Sequence, residues 1–98
     1  MKQKIEKGTT KQTIARKDNH IVVMLTLEEH STRYHLCEWD AENGKFLIQR
    51  YFEKKHYAKA LQSYELLQEI ILNTSFDDIQ EEITESYRFV TIDEKDAE

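Results

Sequence analysis

Between Arg33 and Thr74 the spacing of apolar residues changes once, from a period of two to a period near 3.6, and this change limits the folds open to the chain. Residues 33–40 alternate as a strand, Asp40-Ala41-Glu42-Asn43-Gly44 supplies turn chemistry, and 45–52 alternate again. From about Glu53 to Asn73, Tyr57, Ala60, Leu61, Tyr64, Leu67, Gln68 and Ile71 recur at helical spacing. A hairpin feeding directly into a long helix is therefore the centre of the expected fold.

The turn at 40–44 fits a two-residue or a four-residue loop, and either pairs odd positions of the third strand with even positions of the fourth. His35, Cys37 and Trp39 then share a face with Phe46, Ile48, Arg50 and Phe52, and Tyr34, Leu36 and Glu38 share the other with Leu47, Gln49 and Tyr51. The same parity carried back to 21–28 sets Val22 and Met24 with Trp39, and Ile21, Val23, Leu25 and Leu27 with Leu36. Both faces come out apolar, whereas small antiparallel sheets commonly wet one. A helix is needed on each side, or a partner.

Further strands and a second helix are expected around this centre. Residues 10–16 fit a weak edge strand, joined to the strand at 21–28 through Asp18-Asn19, which tolerate the left-handed backbone of a two-residue hairpin turn. Ser75 suits a helix N-cap, with Asp77 and Asp78 favoured in the first turn, so Phe76, Ile79 and Ile83 predict a shorter helix over 76–86. Residues 87–92 alternate and fit a late strand. The fold class is α+β: an antiparallel three- to four-stranded meander followed by a long amphipathic helix and a shorter C-terminal helix.

One domain over residues 10–92 is expected, with a flexible basic arm at 1–9 and an acidic tail at 93–98. Net charge is +4 over residues 1–20 and −7 over 77–98, against −5 for the whole chain. The longest apolar stretch, 21–27, is far short of a membrane span, and a single cysteine excludes an internal disulfide. A cytoplasmic protein is expected, with no membrane partner.

Chemistry is sparse. His30, His35 and Cys37 offer too few ligands for a recognised metal motif, and Cys37 falls among apolar neighbours unsuited to a reactive thiol. The two glycines build no phosphate cradle. No catalytic residue, metal or cofactor is therefore expected. The leading expectation is a small non-enzymatic binding or regulatory protein that acts through protein contacts as a homodimer, because apolar surface exceeds one core.

The alternative is single-stranded nucleic-acid binding by the sheet face and basic arm, through Arg33, Tyr34, Lys45, Arg50 and Tyr51. Four strands followed by a helix resembles, in element order alone, a family of transcriptional coactivators and the Whirly single-strand binders. That resemblance implies a nucleic-acid-binding sheet and assigns no residue.

Overall fold

A computed structural model describes residues 2–92. The chain forms β1 (Lys2–Lys17), β2 (His20–Glu29), β3 (Arg33–Asp40), β4 (Lys45–Glu53), a 3₁₀ turn (Lys54–His56), α1 (Tyr57–Leu72) and β5 (Asp78–Ile92). The strands make one antiparallel sheet in the order β4-β3-β2-β1-β5, so α1 carries the chain from one edge to the other. The class is α+β with an antiparallel sheet. None of the helices among the described residues is long and apolar enough to cross a membrane.

Local chemistry accounts for the turns. Asp18 and Asn19 hold φ of 52° and 68°, and Lys17 pairs with His20, which makes the expected two-residue hairpin. At the β3–β4 turn Asp40 pairs with Lys45 across a four-residue loop that ends on Gly44 at φ 65°. The Asp40 carboxylate accepts from the main-chain N–H groups of Glu42 and Asn43 and from the Asn43 amide at 2.7–3.1 Å. These bonds, the Asn43 side chain's first among them, hold its pKa below the ordinary aspartate value.

The register of β4 differs from the expected one, and a bulge is the cause. Trp39 pairs with Phe46, but Glu38 pairs with Ile48, which leaves Leu47 as the extra residue. Beyond it the faces exchange: Ile48, Arg50 and Phe52 join Glu38, Leu36 and Tyr34, while Gln49 and Tyr51 join Cys37 and His35. A second bulge, between Ala15 and Arg16, shifts β1 so that Arg16 meets Ile21. Without the Leu47 bulge Ile48 and Phe52 would lie away from α1.

α1 packs on the face of Val23, Leu25, Leu27 and Leu36, which with Ala15, Ala60, Tyr64 and Ile71 form the core. Tyr34, Phe52, Leu61, Leu67, Phe76 and Ile79 pack around it. The helical stripe is the expected one, and Leu66, Ile70 and Leu72 are left exposed. At the helix end the Asn73 N–H bonds to the Glu69 carbonyl and the Thr74 hydroxyl donates to the Ile70 carbonyl at 2.9 Å, satisfying acceptors that would otherwise lack partners.

Residues 78–92 are a strand, and no second helix forms at 76–86. Phe76, Ile79 and Ile83 fit a helix, but the four-residue step from Ile79 to Ile83 equally fits two pleats of a strand, so it does not decide between them. The free edge of β1 decides: β5 pairs along it from Arg16↔Asp78 to Lys2↔Ile92. The segment 10–16 is consequently interior, with β2 and β5 on its two sides, and not an edge. Residues 2–9, expected as a flexible arm, extend β1 and pair with β5 alone, because the β2 partners begin at Thr10↔Glu28. The chain thus continues past four strands and a helix into a fifth strand. The expected acidic tail at 93–98 lies outside the described residues.

This pairing also explains the charge asymmetry, since the basic strand lies against the acidic one. Lys7 bridges Glu85 at 2.9 Å, and Arg16 lies 3.7 Å from Asp78 and donates to Gln80. Exposed pairs of this kind contribute little individually, about 0–1 kcal/mol. Their alternation fixes register more than it adds stability.

Two outcomes follow from close contacts in this fold. A Cβ on Gly8 would stand 2.9 Å from the Glu29 carbonyl oxygen, so Gly8→Ala should destabilise by about 1–2 kcal/mol in urea unfolding, overpacking outweighing reduced chain entropy. Under α1 the fully buried Tyr64 hydroxyl meets Thr13 Oγ1 at 2.5 Å, and burial pushes its pKa up to about 12 from 10.0. The unfolded chain releases this proton first, so stability should fall by about 2 kcal/mol as pH rises from 10 to 12. Tyr64→Phe should remove that part of the alkaline decline.

Candidate functional site

The five residues expected to bind nucleic acid do not share a surface. Arg33 and Tyr51 lie on the open face of the sheet, where the Arg33 guanidinium sits 4.0 Å from the Tyr51 ring centre. Tyr34 and Arg50 lie on the helix side, Tyr34 against Tyr57 at 5.0 Å and Arg50 beside Leu36, Ser63 and Leu66. Lys45 stands at the β3–β4 turn, paired with Asp40. The expected parity already set Arg50 on the face opposite Tyr34 and Tyr51; the Leu47 bulge exchanges Arg50 and Tyr51 between the faces and leaves the set divided.

The open face carries three cross-strand rows. The first is Ile14, Met24, Trp39 and Phe46, with Trp39 and Phe46 edge to face at 4.8 Å. The second, Gln12, Thr26, Cys37 and Gln49, is polar apart from a thiol whose pKa burial raises. A raised pKa disfavours the thiolate. The third row is Thr10, Glu28, His35 and Tyr51.

In the third row the His35 ring stacks on Tyr51 at 4.6 Å with planes 13° apart, and its Nε2 meets the Gln49 amide at 3.2 Å. Burial, then the charges of His30 and Arg33, hold the His35 imidazole below its ordinary pKa, with Glu28 acting the other way. His30, in the β2–β3 turn, lies 3.8 Å from the Glu28 carboxylate. Glu28, His30 and His35 bring one ligand atom each to within 4.8 Å of the others. The sequence reading joined His30 and His35 to Cys37 and passed over Glu28. The register that sets Met24 opposite Trp39 also sets Glu28 opposite His35, and that signal identifies the third member.

Glu29, next along the chain, points to the other side and ties the junction together. Its carboxylate accepts from Lys54 Nζ at 2.8 Å, from the Tyr34 hydroxyl at 3.2 Å and from the Thr9 N–H at 3.2 Å. The Lys54 hydrogen bond is the main reason its pKa lies below the ordinary value, and burial opposes it. Thr9, Lys11, Leu27, Tyr57 and Leu61 complete a hollow of about 190 Å³ beside it. That volume is below the usual range for small-molecule sites, about 300–1,000 Å³.

An apolar surface lies along the side of α1 next to β4. Leu66 borders a hollow with Leu36, Ile48 and Leu67, and Ile70 borders a second with Val22, Leu47 and Phe76. Leu47, Leu66, Ile70 and Leu72 are 51–63% exposed. In comparisons with protein-family models, curated proteins and solved structures, nothing matches this chain.

Glu38 lines the second hollow, and burial raises its carboxyl pKa above the ordinary 4.5. At pH 7 the folded protein therefore carries a desolvated charge that the unfolded chain solvates freely. Glu38→Gln should stabilise the protein at pH 7 in denaturant titrations. The gain should vanish below pH 4.5, where the carboxyl is protonated in both states.

Proposed function

We propose that this chain is a small non-enzymatic binding protein that works as a homodimer, joined through the β4 edge and the adjoining side of α1. The reading rests on one observation: Leu47, Leu66 and Ile70 are exposed and line two hollows where α1 meets the edge strand β4. Isolated exposed leucines are ordinary, but a row bordering two apolar hollows is the kind of surface that association buries.

A second copy is the occupant that best suits this surface. An edge strand carries a row of main-chain donors and acceptors open to another strand, and a two-fold axis lets identical edges pair antiparallel. β4 begins at Lys45 and ends at Glu53, so such pairing brings the lysine end of each strand toward the glutamate end of the other. Leu66 and Ile70, four residues apart on one side of α1, add helix contacts across the same axis.

The bulge at Leu47 does not oppose this, since it places Ile48 and Phe52 on the helix side, where both copies contribute apolar surface. Nucleic-acid binding through the open face keeps only Arg33 and Tyr51 of its five residues together, and the net charge of −5 works against phosphate at long range.

Light scattering coupled to size exclusion should give twice the 11.8 kDa chain mass at micromolar concentration. Leu66→Glu combined with Ile70→Glu should return the monomer mass with an unchanged far-ultraviolet spectrum, because both side chains are already exposed. A monomer in the unsubstituted protein up to millimolar concentration would overturn the reading.

A further inference from the structure

We infer that Glu28, His30 and His35 form a binding site for a transition-metal dication of the zinc class. The set is built by the β2–β3 hairpin. Glu28 and His35 are direct cross-strand partners, and His30 follows two residues after Glu28 in a turn closed by the bond from the His30 N–H to the Arg33 carbonyl at 2.9 Å. All three residues are half-buried, and one ligand atom of each lies within 4.8 Å of the other two.

Bonds of about 2.0–2.2 Å at tetrahedral angles set ligand atoms roughly 3.3–3.6 Å apart, so modest side-chain rotation closes the set around an ion. Water takes the remaining position. The donors select the ion: two imidazoles and one carboxylate suit zinc, nickel or copper, whereas magnesium and calcium require near-complete oxygen shells.

The surroundings orient the ligands as a metal site needs. Nε2 of His35 lies 3.2 Å from the Gln49 amide nitrogen, and a half-turn of the amide exchanges that nitrogen for its oxygen. With the amide turned so that its oxygen accepts Nε2–H, the lone pair stands on Nδ1, and outer hydrogen bonds of this kind hold ligating histidines in place. The Tyr51 ring, stacked on His35, fixes the plane of the imidazole. Arg33 is drawn over the Tyr51 ring. The His20–Glu42 pair at 3.3 Å, a His–Glu contact outside this cluster, offers two ligands and serves as an internal comparison.

Calorimetric titration of the full chain with zinc chloride should show saturable uptake of one ion per chain, and magnesium chloride should show none. In imidazole carbon–proton spectra of the unsubstituted protein, the rings of His30 and His35 should shift with zinc while those of His20 and His56 stay in place. His35→Ala and His30→Ala should each weaken zinc binding at least tenfold, and Cys37→Ser should leave it unchanged.

The spectra need no substitution, so they decide the matter even if a variant fails to fold. Absence of saturable uptake, ring shifts confined to His20 or His56, or full-strength binding by folded His35→Ala would overturn the assignment. The dimer and the metal site are independent, since light scattering reports one and the imidazole spectra the other.

Discussion

A single sixteen-residue helix must bury whatever one side of a five-stranded sheet offers, and its size limits how much that can be. At about 1.5 Å per residue and roughly 10 Å in width, α1 has a footprint near 24 by 10 Å. Five strands at about 4.8 Å spacing span roughly 19 Å between the outer strand axes, and a sixteen-residue strand runs about 53 Å, close to the 52 Å long dimension of the molecule. The helix therefore covers the middle of β2 and β3 and reaches β1 chiefly through Tyr64. The β1–β5 ribbon beyond Gly8, with Ile5, Tyr87 and Phe89 exposed, receives no cover from it.

Given so small a cover, placement of apolar side chains matters more than their number. The Leu47 bulge brings Ile48 and Phe52 to the side where a helix can meet them and sends Gln49 and Tyr51 to the open side. The open face becomes one apolar row followed by two mixed or polar rows. The excess of apolar surface then moves from the sheet to the flank of the helix, where Leu66 and Ile70 stand.

Much of the architecture was legible because it rests on local chemistry. The Asp18-Asn19 turn, the 40–44 turn and the α1 stripe each depend on residues adjacent in sequence or one helical turn apart. The face of β4 was not legible, because a bulge depends on how two strands fit after pairing, and neither sequence marks the extra residue. The first part of β5 was misread as a helix, because the step from Ile79 to Ile83 serves both periods and the deciding partner lies some seventy residues earlier in the chain, whereas the alternation at 87–92 did mark a strand. In the Glu28, His30 and His35 cluster the histidines were visible. Glu28 required the β2–β3 register to be applied to a residue that looked merely charged.

The pairing of β1 with β5 has a consequence for how the chain is made. β1 precedes β5 by some sixty residues of sequence, so during synthesis the edge of β1 that β5 covers stays open after β2 has paired on the other side. Closing that edge joins residues as far apart as Lys2 and Ile92, a contact of the slow kind that pays loop entropy before it gains anything. During that interval the lysines of β1 repel one another's copies at the exposed edge, as charged edge residues do in finished sheets. Basic residues of β1 meet acidic partners once β5 is in place, Lys7 with Glu85 and Arg16 with Asp78.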